Sequence, residues 1–526
     1  MTKKLFIILI SICFTWNLSA QNSRPRLVVT IAIDGLQNDH LATLSTNFEK
    51  NGFKLLLSGT VIPETYCNYF GTGTATDYAS LLTGSTPYYH GIIGDKRYNL
   101  VEDNLVSILF DGRYQGINSD LTISPKQLTT TTLADVIKLN NPQNKVFSIA
   151  LKPEHALLMG GHIADGAVWI DDKTGKLATT NFYTKGLPTW ADKVNVSQTV
   201  ENYLRYEWKP LWGIESYKFP QEGKEKGLFL KPNDKQTRQE LIYQFKHGPF
   251  VNTLMKDLAI RALRDEKLGT DAFTDFLAVE FSVKLPNEQG NSLLSAEKED
   301  IYLRLDKELR ALLDAIEISV GMENTLILVV GNTQEPFSTK ELTTRQITNG
   351  QFNAKRSMAL LNAYLMAIYG QGRYINGYYA RQIYLNQSLI TSQKIDRNEL
   401  EEHAARFLTE LQGVHNAYTS KDIKNANGCE TNELAKIKNS AHKNSSGNVV
   451  FTLLPGWIEV NERNETMGVS SIQNSYVPVM IYGAKIPTQT IAETVNVTDI
   501  IPTICRILNL QQPNGSIGRV ISEVVK

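Results

Sequence analysis

The sequence predicts an α/β fold: a doubly wound, mostly parallel sheet flanked by helices, with inserted cap segments. Two observations carry that expectation. Apolar, β-branched runs recur along the chain, and helical patterns fall between them, which is how a parallel sheet covered on both faces is written. The 526 residues, 42% hydrophobic and 21% charged, suffice for one large α/β unit with insertions or for two to three units.

In chain order, MTKK is a short basic stretch, LFIILISICF an apolar one, and NLSA ends in small residues ahead of Gln21. This predicts a signal peptide over 1–20, cleaved after Ala20, and hence export. A membrane anchor needs about 20 apolar residues, and this run is far shorter. The cleavage point lacks the cysteine of a lipoprotein, and no later segment looks able to span a bilayer.

Strands are expected at LVVTIAID (27–34), VFSIALK (146–152), DFLAVEFS (275–282), TLILVVGN (325–332) and VPVMIYG (477–483). Among the helices, EDIYLRLDKELRALLDAIEISVG puts Ile301, Leu305, Leu309, Leu312, Leu313 and Ile316 on one face and stops at Gly321. IDRNELEEHAARFLTELQG starts with Asp396 three residues before Glu399 and stops at Gly413. The alternation breaks twice, at a segment near 180–250 rich in Trp, Tyr, Lys and Pro and at a polar, Asn-rich stretch within 341–464. The expected organisation is a core of 25–340 plus 465–526, with an insertion near 180–250 and an inserted cap over 341–464.

Lys and Arg number 54, matching 54 Asp and Glu, so the charge balance points neither to nucleic acid nor to an anionic membrane surface. After export the cysteines are Cys67, Cys429 and Cys505; they allow at most one disulfide, and their spacing is unlike a zinc finger or ribbon.

Chemistry is sought first in NYFGTGTATDYASLLTGSTPYYHGIIGDKRYN (68–99). TATDYASLLTG reads as a short helix starting at Thr74 and closed by Gly84. A hydroxyl beside the unpaired N–H groups of a helix start is placed to attack a phosphoryl centre; a threonine there is also an ordinary N-cap. With LVVTIAIDG, SLLTGSTPYYHGIIG, SIALKPEHALLMGGHIADGAVWID, KLGTDAFTDFLAVEFS, RQIYLNQSLI and VNVTDIIPTICRILNL in this order, the chain resembles the alkaline phosphatase superfamily over nearly its whole mature length. The closest likeness is to the single-chain, periplasmic, phosphate-irrepressible enzymes with a threonine nucleophile.

That resemblance implies an alkaline-phosphatase-like fold, a periplasmic location and two zinc ions about 4 Å apart that clamp the attacking and leaving oxygens. Residue by residue, Asp34 matches the first metal-binding aspartate, Thr74 the nucleophile, and Lys152 a lysine on the transferred group. Elsewhere the sequence departs. The phosphate-binding asparagine falls at Asp95, and the arginine two residues after the lysine at Glu154. The Asp and His four residues apart that should follow Phe281-Ser282 are missing from VKLPNEQGNSLLSAEK. Asn332 and Thr333 replace an Asp-His pair, and Tyr476 replaces the last histidine. The remaining histidines, His155 among them, show no metal-ligand spacing and read as surface or hydrogen-bonded residues.

Asp34, Asp95 and Glu154 against Lys152 would make the pocket acidic. Two unit charges 4 Å apart interact by about 4 kcal/mol at an effective dielectric near 20, so the sign of the pocket matters for a phosphate monoester, itself roughly dianionic. The expectation is a superfamily member that has lost its zinc site and activity, a pseudoenzyme with no cofactor, serving as a binding or assembly component for an unidentified protein or envelope partner. Two alternatives stand: a weak phosphomonoesterase or phosphodiesterase with one divalent cation on Asp34, Asp95 and Glu154, and an anion binder using Lys152 and Thr74.

Overall fold

The computed structural model describes residues 24–70, 73–99, 102–219, 231–233, 235–286, 295–332, 339–428, 432–461, 476–483 and 485–525. The expected signal peptide, Thr333 and Cys429 lie outside them. Among the described residues, eleven strands form the main sheet. At its centre Leu27–Asp34 lies between Thr325–Gly331 and Asp275–Ser282, parallel to both. Every residue of these three strands is buried, which is why they read as continuous apolar runs. Val146–Ala150 and Gly166–Ile170 continue the parallel part outward. The 146–152 run thus stops being strand at Ala150, leaving Lys152 as the residue that opens the helix Pro153–Gly160.

Two of the main sheet's described strands run against the rest: Leu177–Thr180, antiparallel to Gly166–Ile170, and Tyr476–Gly483. Tyr476–Gly483 is antiparallel to Thr325–Gly331 and to Thr60–Tyr66. It starts beside the carboxyl end of Thr325–Gly331, where Val479 pairs with Val330, and runs back along that strand to Gly483 opposite Leu326. Pro478 cannot donate to a ladder, and the register towards Thr60–Tyr66 shifts at that point, between Val477 and Val479.

Strand alternation sorts the interior into two cores. Val29, Ile31, Leu277, Val279, Phe281, Ile327 and Val329 face one, covered by the helices Pro249–Asp265 and Ala296–Ser319. Ile301, Leu305, Leu309, Leu312, Leu313 and Ile316 all point into it. Trp190, Trp208 and Phe245 of the 180–250 segment pack into the same core. Asp300 ties that segment down by accepting hydrogen bonds from Trp208 Nε1 and the Leu211 N–H, both at 2.7 Å. The even-numbered strand residues Val28, Ala32, Phe276, Ala278, Leu326, Leu328 and Val330 face the other core, under Thr74–Thr83, Leu133–Asn140, Pro153–Gly160 and Ile500–Ile507.

Residues 375–453 contain a separate four-stranded antiparallel sheet, in the order Ile375–Tyr379, Gln382–Leu385, Val449–Leu453, Val414–Thr419. Its apolar face packs on the helices Ala354–Tyr369 and Arg397–Thr409. Asp396 caps the latter by accepting from the Asn398 and Glu399 N–H groups. Cys67 and Cys505 are buried free thiols; burial pushes the Cys505 thiol up to about 12.

Candidate active site

The alternation that builds the second core also assembles the site. Asp34 and Glu280 are even-numbered strand residues, and Asn332 continues that parity one step past Gly331. Ile33 pairs with both Gly331 and Phe281, and Asp34 with Ser282. That register brings Asn332 and the segment after Ser282 alongside Asp34. The Asn332 amide donates to Asp34 Oδ1 while its oxygen accepts from the Gly35 N–H at 2.9 Å. Lys284 Nζ lies 3.1 Å from the same Asp34 oxygen. Gly35, at φ +82°, leaves room for this approach, since a Cβ there would stand 3.0 Å from Lys284 Cγ. Burial alone would raise the Asp34 pKa. Lys284 first, then Lys152, His155 and the Asn332 amide, outweigh it and hold the carboxyl well below the usual carboxylate range.

These residues do not fit zinc. The one matching ligand, Asp34, carries an ammonium and an amide N–H where a metal centre supplies a cation. Tyr476 opens its strand with its ring 5.5 Å from that of Tyr66, an aromatic pair in place of an imidazole ligand. Among the described residues, no group of three or more His, Cys, Asp or Glu is arranged to hold a metal ion. The three acids suggested for a single cation have separate engagements. Asp95 Oδ1 accepts from the Ala75 N–H at 2.9 Å, at the start of the Thr74 helix. Glu154 Oε1 accepts from the Ser107 hydroxyl at 2.8 Å.

Thr74 is the first residue of its helix, and Gly73 is the N-cap, without a side-chain capping bond. The threonine hydroxyl is therefore not spent on the helix end. Its Oγ1 lies 2.6 Å from His155 Nε2. His155 is the third residue of the Pro153–Gly160 helix, and its Nδ1 lies 2.7 Å from Glu280 Oε1. Glu280 also accepts from the Tyr78 hydroxyl at 3.2 Å and, through Oε2, from the Leu151 N–H at 2.8 Å. Tyr78, one turn beyond Thr74, sets its ring edge-on to the imidazole at 4.5 Å. In the tautomer whose Nδ1–H is donated to Glu280, the imidazole presents its Nε2 lone pair to the threonine hydroxyl. His155 and Glu280 are buried, whereas Thr74 is only half-buried.

Lys152 shares this pocket. Burial pushes its ammonium pKa down, but Asp95 and Asp34 more than reverse that, so it stays charged. Asp34, Asp95, Glu154 and Glu280 set against Lys152 and Lys284, four carboxylates to two ammoniums, leave a net formal charge of −2. The cap closes over the Asp95 side. The Tyr379 hydroxyl accepts from the Lys96 N–H at 3.1 Å, and the Tyr98 ring stacks on Tyr384 at 4.9 Å.

The sequence reading named Asp34, Thr74, Asp95, Lys152 and Glu154 but passed over His155, Glu280 and Lys284. His155 is 81 positions from Thr74 and 125 from Glu280, so no local spacing could reveal the row. One signal was present: a glutamate inside the apolar run DFLAVEFS, on the parity of Phe276 and Ala278. A carboxylate in the interior of a buried strand has to have partners.

A family model described as type I phosphodiesterase / nucleotide pyrophosphatase matches residues 28–478. The chain is 28% identical to a protein named calcium-transporting ATPase from Myroides odoratus, over 97% of this chain and 96% of that one. It is 28% identical to alkaline phosphatase PhoV of Synechococcus elongatus, over 96% and 94%, and 27% identical to alkaline phosphatase PafA of Elizabethkingia meningoseptica, over 95% of each. The crystal structure of wild-type PafA superposes with a TM-score of 0.84 at 25% identity, covering 96% of this chain and 99% of that one.

Proposed function

The chain belongs to the type I phosphodiesterase / nucleotide pyrophosphatase family, within the alkaline phosphatase superfamily, and we propose that it is an exported, periplasmic member that has given up two-zinc phosphoryl transfer and uses the phosphatase pocket to hold a ligand or partner. One observation carries this reading: Lys284 Nζ, 3.1 Å from Asp34, puts a tethered cation on the ligand that zinc would need. A lysine ammonium donates three hydrogen bonds and accepts none, so it can neutralise Asp34 but cannot help to bind a metal. The export step rests on the 1–20 segment, and the periplasm on the resemblance. No helix among the described residues is long and apolar enough to cross a membrane.

The 180–250 segment offers the surface for a partner. Tyr206, Trp212 and Ile214 are exposed there, on a segment anchored from beneath by Asp300. The anion-binder alternative is less well supported, because the Asp95 carboxylate already takes the Ala75 N–H at the helix start where a phosphate would sit. The single-cation hydrolase needs Asp34, Asp95 and Glu154 to converge, and each has a different partner.

Elemental analysis of the mature protein, purified without chelators and dialysed against zinc, tests the reading. The expected result is a folded protein with near-zero zinc and no turnover of an aryl phosphate. Two tightly held zinc ions per chain, with phosphatase activity, would overturn it.

A further inference from the structure

We propose that Thr74, His155 and Glu280 form a metal-independent nucleophilic relay, which attacks the carbonyl carbon of an uncharged carboxylic ester and carries the acyl group on Thr74 Oγ1. This rests on the metal-free reading, in which His155 Nε2, 2.6 Å from Thr74 Oγ1, takes the Thr74 proton.

The geometry has the two hydrogen bonds such a relay requires, 2.6 Å from nucleophile to base and 2.7 Å from base to the orienting carboxylate. Its depth is also graded. Thr74 is half-buried, while the imidazole and carboxylate behind it are buried. A packing role does not account for the arrangement. Buried ion pairs can often be replaced by apolar residues of similar volume without loss of stability. Here the fold instead supplies two further donors, the Tyr78 hydroxyl and the Leu151 N–H, which keep Glu280 an acceptor towards Nδ1. The pair also ends on a hydroxyl that is released from capping.

The surroundings select the substrate. Asp95 holds the helix start beside Thr74, Lys284 is committed to Asp34, and the carboxylates outnumber the ammoniums. A dianionic phosphate ester is repelled on entering, whereas an uncharged ester is not. Lys152 is the cation left to face the oxyanion that develops as the carbonyl is attacked.

The step balances without metal or redox partner. Thr74 Oγ1 bonds to the carbonyl carbon as its proton passes to His155 Nε2. The ester C–O bond then breaks, and His155 returns the proton to the departing alkoxide, leaving an alcohol and O-acyl-Thr74. Water attacks the acyl-threonine with His155 again as base, releasing the carboxylic acid and restoring the hydroxyl. Glu280 is a positioning residue, holding the Nδ1–H tautomer and stabilising the imidazolium.

The test uses the full mature protein treated with EDTA and p-nitrophenyl acetate as the probe. The expected result is release of p-nitrophenolate and an acetyl group on the peptide containing Thr74, with Thr74→Ala abolishing both. Thr74 sits half-buried at a helix start, so that variant folds. His155→Gln should slow acylation by about 10²–10⁴-fold. Glu280→Gln should lower kcat by a similar factor with KM unchanged, a split that loss of packing does not produce. Metal-free protein that acquires no acetyl on Thr74, or labelling that survives Thr74→Ala, overturns the relay alone. Labelling that EDTA removes and zinc restores overturns both the relay and the metal-free reading.

Discussion

Replacing Lys284 by methionine keeps most of the side-chain volume and removes its charge, so it isolates what the ammonium does for Asp34. At 3.1 Å and an effective dielectric near 20, the attraction is about 5 kcal/mol. Not all of this is lost in the variant. The Lys284 side chain is 18% exposed and that of Asp34 7%, so water takes up part of the charge, and the Asn332 amide and Lys152 remain. Removing one partner of a buried pair costs about 3–5 kcal/mol, and the residual partners place the expected loss near the lower end, at about 3 kcal/mol. Urea unfolding at neutral pH measures it. The informative variant is the double one, Lys284→Met with Asp34→Asn, which leaves no orphaned charge. It should recover about 2 kcal/mol relative to Lys284→Met alone, so the two substitutions depart from additivity by at least that much, as groups in contact do. A single-variant loss below about 0.5 kcal/mol, with the two substitutions additive, would refute the idea that Lys284 stands in the metal's place.

His90 gives a pH prediction. Burial drives its pKa down to about 3, with Nδ1 accepting from the Ile92 N–H at 3.1 Å and Nε2 2.9 Å from Ser80 Oγ. The unfolded chain binds this proton near pH 6.5 and the folded one does not, so the contribution of His90 is complete above pH 6.5. It is lost at about 1.4 kcal/mol per unit as the pH falls towards 3; His90→Gln should flatten the denaturation profile by that slope, and an unchanged slope would refute it. Gly84 stands at φ +63°, and a Cβ there would lie 2.8 Å from Ser516 Oγ and 3.1 Å from the Thr498 carbonyl oxygen. Gly84→Ala should therefore cost about 2 kcal/mol in urea unfolding. Asp300→Ala removes the carboxylate that accepts from Trp208 Nε1, the Leu211 N–H and the Tyr217 hydroxyl; a loss of about 3 kcal/mol and faster proteolysis within 204–219 are expected, with protection equal to the parent as the contrary result.

The core strands were legible because a strand buried on both faces has to be written in apolar, β-branched residues, and the 27–34, 275–282 and 325–332 runs are. The direction of 476–483 was not, since composition does not record from which end the chain returns to the sheet. At the site, the sequence showed what stands at the expected metal positions but not what those residues do to one another. FSVK reads as a missing aspartate and histidine; only the pairing of Asp34 with Ser282 shows that Lys284, two residues on, reaches the orphaned carboxylate. LKPEH reads as a lysine with a displaced arginine, and the histidine that follows becomes meaningful only when Glu280 and Thr74 arrive from distant strands and helices.

Those pairings bear on whether the pocket is a metal site with its ligands deleted or an arrangement of another kind. Deletion alone leaves buried carboxylates facing nothing, and each such group costs free energy comparable to a large part of a domain's stability. Here every carboxylate has a partner: Asp34 has Lys284 and Asn332, Asp95 the Ala75 N–H, Glu154 the Ser107 hydroxyl, and Glu280 the imidazole, a phenol and a backbone N–H. Asp34 and Lys284 close the metal position, while Thr74, His155 and Glu280 form a row that needs no metal. The two arrangements feel each other's charge through Lys152 and His155 but are held by different hydrogen bonds, so variants in one should leave the hydrogen bonds of the other standing. Lys284→Met should thus lower stability without removing Thr74 reactivity, and Thr74→Ala should remove reactivity without lowering stability.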